Sequence, residues 1–134
     1  NPEVQFITES PYAECKVCLD RSRLAQICTN FTTNSIKHTH KGYIKVGYVY
    51  VDGGIRIYTE DTGNGIPAEK QYLVFQRFEK LNPFVQGTGL GLSICKAIVD
   101  ACGGKIGFTS QEGEGSKFWA WIPCEAEIIL KEYA

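Results

Sequence analysis

Gln26, Asn30, Asn34 and Lys37 recur at i, i+4, i+8 and i+11, the spacing of one polar stripe along a helix. At 100° per residue this stripe lies beside the apolar residues Leu24, Ile27, Cys28 and Phe31, so it borders a core rather than facing open water. Two carboxamides and an ammonium at such a border suit a hydrated divalent cation and phosphate oxygens, because Mg²⁺ takes hard oxygen ligands and keeps several waters. The competing reading of the helix alone is an ordinary solvated face. Two glycine triplets sharpen the choice. Asp61-x-Gly63-x-Gly65 follows a strand-like segment, and Gly87-x-Gly89-x-Gly91 precedes a helix-like one. Two backbone segments without side chains can then approach one ligand, the second presenting amide donors at a positive helix end. That arrangement suits a nucleotide.

Other phosphate motifs are weaker. Gly63-Asn64-Gly65-Ile66-Pro67-Ala68 fits the dinucleotide pattern G-x-G-x-x-A, but no parallel strand follows to complete a βαβ unit. Gly103-Gly104-Lys105 is followed by Ile106, not by the Ser or Thr of a P-loop.

The elements that must position these residues follow from periodicity. Val4 to Thr8 and Cys15 to Leu19 read as short strands, and Asp20 as the N-cap of the helix carrying the polar stripe. Tyr43 to Val51 and Ile55 to Glu60 alternate around Asp52-Gly53-Gly54 and predict a hairpin. A short helix is predicted from Pro67, carrying Tyr72, Phe75 and Phe78, and residues 79–86 show no periodicity. The second glycine triplet opens a helix with Leu90, Ile94, Ala97, Ile98 and Ala101 facing inward, and Gly103-Gly104 stops it. Lys105 to Ser110 and Ser116 to Ile122 form a closing hairpin. Hairpins separated by helices imply an α/β two-layer sandwich, with one mixed, mostly antiparallel sheet and helices packed on one face.

Composition bounds the partners. The 134 residues, 43% hydrophobic with 14 basic against 15 acidic side chains, predict one soluble globular domain without room for a second. A net charge of −1 argues against nucleic acid or an anionic membrane as the main partner. No apolar run approaches a membrane span, and the first residues lack the basic start of a signal peptide. Cys15, Cys18, Cys28, Cys95, Cys102 and Cys124 sit in apolar stretches and are expected to be buried free thiols. Cys15 and Cys18 lie in a strand-like run, where residues three apart point to opposite sides and do not chelate one metal.

Taken in order, four segments resemble the ATP-binding catalytic domain of sensor histidine kinases, of the gyrase, chaperone, histidine-kinase and mismatch-repair ATPase superfamily. Residues 30–39 (NFTTNSIKHT) resemble its asparagine box, 61–66 (DTGNGI) its first glycine box, 75–78 (FQRF) its phenylalanine box, and 87–92 (GTGLGL) its second glycine box. Gly113-x-Gly115-Ser116-x-Phe118, ending in Ile122-Pro123, resembles the terminal glycine box. The resemblance implies a Bergerat-type ATP-binding fold over residues 1–124, with 125–134 a tail that is an extra strand, a linker or a chain end.

It also implies roles. Asn34 would be the principal Mg²⁺ ligand, Asn30 would order the metal and its waters, and Lys37 would neutralise phosphate charge. Asp61 would accept a hydrogen bond from the adenine amine, with Gly63, Gly65 and Ile66 passing close to the base. Gly87, Thr88, Gly89, Leu90, Gly91 and Leu92 would form the lid hinge and phosphate-facing helix start, Gln86 a metal or phosphate contact, and Ser116 a further nucleotide contact. Phe75 and Phe78 are core residues by type, but the family is thought to use these positions to dock on partner helices.

Departures bear on the reaction. The family usually has Phe or Tyr where this chain has His38, whose imidazole still stacks on adenine with less area. The spacing His38-x-His40 also fits a metal pair, though a loop reading is simpler. Lys80 is the only base in the short lid segment, so no arginine clamp grips the γ-phosphate. Superfamily hydrolases place a Glu four residues before the metal asparagine; here Asn30 stands there and takes no proton. The resemblance therefore implies phosphoryl transfer to a histidine on a separate dimerisation helical domain of the same parent. That parent would be a homodimer, cytoplasmic or membrane anchored, signalling to a response regulator receiver domain, while the isolated domain would be a monomer. Two alternatives stand beside it: a degenerate or regulatory nucleotide-binding module, and a superfamily protein-serine kinase or ATPase.

Overall fold

In the computed structural model, which describes residues 3–75 and 89–132, five strands form one sheet in the order β1-β3-β4-β6-β5. These are β1 (Val4–Glu9), β3 (Gly42–Val51), β4 (Gly54–Asp61), β5 (Lys105–Gln111) and β6 (Gly115–Pro123). Only β1 and β3 run parallel; the other pairs are antiparallel. Helices α1 (Arg21–His38) and α2 (Gly89–Ala101) pack on one face, where Ile27, Phe31, Val99, Phe118 and Ala120 join one apolar core. The sandwich expected from periodicity is the one observed.

Local chemistry explains the elements that hold the site. Asp20 Oδ1 accepts from the amides of Ser22 at 2.9 Å and Arg23 at 3.2 Å, capping α1 as its position implied. Asp52 and Gly53 take φ of 54° and 75° between Val51 and Gly54, a two-residue hairpin turn that fixes the β3–β4 register. That register places Asp61 opposite Ile44 on one side and Ser116 on the other.

Four expectations are corrected. The inward stripe of α2 is Leu92, Cys95, Ile98 and Val99, whereas Ile94 is 37% exposed and Ala97 and Ala101 face out. Apolar residues line both sides of this helix, so periodicity alone does not fix its rotation. The segment after Pro67 is a 3₁₀ helix, Ala68–Leu73; it leaves Tyr72 70% exposed, while Phe75 beyond it meets Phe108 and Phe118 edge-on at 5.6 and 6.4 Å. Phe75 packs against the core with part of its surface exposed, and Phe78 lies outside the described residues. All six cysteines are free, but only Cys95 is fully buried, and Cys18 and Cys102 are exposed. Finally, β2 (Tyr12–Val17) does not join the main sheet. It pairs antiparallel with β7 (Ala126–Leu130), making the C-terminal segment the extra strand of a two-stranded ribbon.

Candidate functional site

The polar cluster forms where the last turns of α1 meet the end of β4. The buried polar residues among those described are Asn34, Ser35, Thr39, Thr59 and Asp61, all on these two elements or the residue just after α1. Asp61, 6% exposed, is held from three elements. Its Oδ2 accepts from Ser35 Oγ at 2.8 Å; its Oδ1 accepts from the amides of Gly63 at 3.0 Å and Ser116 at 3.2 Å. A carboxylate with three donors is fixed in direction and still has lone-pair capacity for a ligand donor.

Beside it the backbone of Gly63 packs closely against the end of α1. A Cβ there would stand 2.5 Å from the carbonyl oxygen of His38, 2.9 Å from Thr39 Oγ1 and 3.0 Å from Asp61 Oδ1, so only glycine fits. Thr39 is 3% exposed, and its hydroxyl has no hydrogen-bond partner among the described residues. The turn is tied to α1 by the Asn64 amide, which donates to the His38 carbonyl at 3.0 Å.

The other predicted residues divide by what they touch. Asn34 is 8% exposed, and no hydrogen bond of its carboxamide is seen among the described residues. Lys37 is exposed on the same stretch of α1. His38 is half-buried, and its pKa lies below the ordinary imidazole value: burial is the main cause, the charges of Lys37 and His40 add to it, and Asp61 opposes it. The ring is therefore neutral at neutral pH. Asn30 Nδ2 donates to the Gly91 carbonyl at 3.1 Å and to Cys95 Sγ at 3.6 Å, joining α1 to α2.

Gly65, at φ 68°, closes on the backbone of Gln111, which leaves no room for a side chain. The Ile66 and Leu92 side chains belong to the apolar core. The Ser116 hydroxyl pairs with Ser110 Oγ at 2.8 Å. Gly89 to Leu92 fall in the first residues of α2, while Gln86, Gly87 and Thr88 lie outside the described residues.

Sequence reasoning missed Ser35 and Thr39. The signal for Ser35 was present, because it stands four residues after Phe31 and so occupies a core-facing position with a polar side chain. Together the residues offer a fixed carboxylate acceptor, a glycine turn packed close to α1 and, with no partner among the described residues, a buried hydroxyl and the Asn34 carboxamide. These fit a purine base bearing an amine, followed by phosphates with a hard divalent cation.

Comparison with known proteins agrees with that chemistry. Residues 19–126 match the family model of the histidine kinase-, DNA gyrase B- and HSP90-like ATPases. The chain belongs to this family. Its relatives are sensor histidine kinases. It is 35% identical over 122 residues to the sensory/regulatory protein RpfC of Xanthomonas campestris pv. campestris, covering 84% of this chain and 17% of RpfC. It is 38% identical over 109 residues to the circadian input-output histidine kinase CikA of Synechococcus elongatus, covering 78% of this chain and 14% of CikA. The histidine kinase-type ATPase domain thus spans under a fifth of either relative.

Among solved structures, the catalytic domain of histidine kinase ThkA superposes with a TM-score of 0.77 at 34% identity, covering 90% of this chain and 79% of that one. Full-length ShkA in complex with AMPPNP gives 0.82 at 28% identity, covering 93% and 26%. No helix among the described residues is long and apolar enough to cross a membrane.

Proposed function

We propose that this domain binds Mg²⁺·ATP between the end of α1, the turn after β4 and the start of α2, and donates the γ-phosphate to a histidine on a helical domain of its parent kinase. The observation that carries this reading is the Asp61 carboxylate, buried and aimed by Ser35, Gly63 and Ser116 beside a turn whose close approach to α1 only glycine allows. Adenine presents an amine donor that such an acceptor takes, whereas guanine presents a carbonyl oxygen that it repels. The neutral His38 ring is the stacking surface. Asn34 and Asn30 are the residues that would hold Mg²⁺, Lys37 offsets phosphate charge, and the amides of Leu90 and Gly91 face the phosphates at the start of α2. A cation held by Asn34 and Asn30 would supply positive charge to offset that of the phosphates.

The chain's own contribution is positioning, because no side chain four residues before Asn34 can take a proton from water. The parent is read as a homodimeric, cytoplasmic-facing sensor kinase that passes the phosphoryl group on to a response regulator. The complex of ShkA with AMPPNP supports the nucleotide half of this reading.

Calorimetry tests that half directly: the domain should bind ATP with Mg²⁺ present, and Asn34→Ala should remove the Mg²⁺-dependent part. Mixing the domain with a histidine-bearing helical domain and labelled ATP should give acid-labile phosphoprotein. Acid-stable label, or rapid release of free phosphate, would instead favour a serine kinase or an ATPase.

A further inference from the structure

Asn30 is half-buried between the helices, and the direction of its carboxamide is not free. The Gly91 carbonyl only accepts, so the amide nitrogen must face α2 at 3.1 Å. The sulfur of Cys95, a residue with no exposed surface, lies 3.6 Å from the same nitrogen and is the only other acceptor it meets among the described residues. Both N–H bonds of the carboxamide are thereby engaged by one helix, one turn apart, and no hydrogen bond to Oδ1 is seen among the described residues. Burial pushes the Cys95 thiol up to about 11, so it remains a neutral thiol rather than a thiolate.

We propose that Cys95 is a positioning residue. Its sulfur, with the Gly91 carbonyl, locks Asn30 so that Oδ1 faces the waters of the bound cation. This rests on the Mg²⁺·ATP reading above. The Gly91 contact, which does not involve Cys95, sets the first turn of α2 against the Asn34 side of α1. Asn30 then acts on metal and phosphates together while its nitrogen never leaves α2.

The test compares nucleotide affinity in Mg²⁺ and in EDTA. Cys95→Val removes the acceptor while keeping an apolar side chain of similar size. It should cut the Mg²⁺-dependent gain in ATP affinity about fivefold, the worth of one modest hydrogen bond, and leave affinity in EDTA within about twofold. Cys95→Ser, which keeps an acceptor, should restore the gain. An unchanged gain in Cys95→Val, an equal loss in both conditions, or no rescue by serine overturns the proposal. Side-chain amide NMR of the unsubstituted domain gives a second readout that does not depend on a variant folding. The two Asn30 Nδ2 protons should be protected from exchange and stay so when Mg²⁺·ATP is added; their release overturns the proposal. A domain with no Mg²⁺-dependent gain refutes the functional reading itself, and the assignment of Cys95 falls with it.

Discussion

The two halves of the buried interior are built on opposite principles. Under the middle of the sheet, Phe31, Phe108 and Phe118 stack and tilt against one another at 5.6 to 6.0 Å among aliphatic side chains, and hold the fold by exclusion of water. At the end of β4, equally buried residues are polar, and each must find a partner or leave one wanting. The apolar half is complete in itself. The polar half is not, because the Thr39 hydroxyl has no partner among the described residues and Asp61 retains acceptor capacity. A hydroxyl without a partner and a carboxylate with spare acceptor capacity, side by side at the end of β4, mark a site rather than a core.

Substitutions should separate the halves. The largest loss of stability belongs to the apolar side: Phe118→Ala should lower the unfolding free energy by about 3–5 kcal/mol, read as a shifted urea midpoint, while the molecules that stay folded keep their nucleotide affinity. Asp61→Asn reverses the pattern. The carboxamide can present its oxygen to the Gly63 and Ser116 amides and its nitrogen to a rotated Ser35 hydroxyl, so stability should change by about 1 kcal/mol or less. The new N–H donors then confront the adenine amine, and ATP affinity measured by calorimetry should fall roughly a hundredfold. Equal effects of the two substitutions on stability would erase the contrast.

The smallest effect is a pH dependence. His38 binds its proton less readily in the folded chain than in the unfolded chain, so the unfolded state takes up more protons as pH falls. The stability it contributes is present above the ordinary imidazole value of about 6.5 and is lost as pH drops through the lower folded value. His38→Gln should flatten that acid limb in thermal melts collected across pH, without altering the limb set by carboxylates.

What the residues disclosed in advance was the local part of this contrast. The cap at Asp20, the Asp52-Gly53 turn and the stripe of Asn30, Asn34 and Lys37 each depend on neighbours within a dozen residues. Asp61 and Gly63 were recognisable by their place after a strand. Features set by distant chain segments were not legible. The rotation of α2 is decided by what β5, β6 and α1 offer it, since both of its sides are apolar enough to bury. Phe75 reads equally as core or surface until Phe108 arrives beside it. Cys18 and Cys102 are hydrophobic by type, yet each lies where its element ends.

The ribbon has a consequence in time rather than in energy. Tyr12 pairs with Leu130, so β2 finds its ladder partner only after the helices and the other strands of this domain have been synthesised. Closing so long a loop is slow relative to the hairpins within it. During synthesis the β2 edge therefore waits unpaired while α1, both hairpins and α2 assemble, and the ribbon closes only once β7 has left the ribosome.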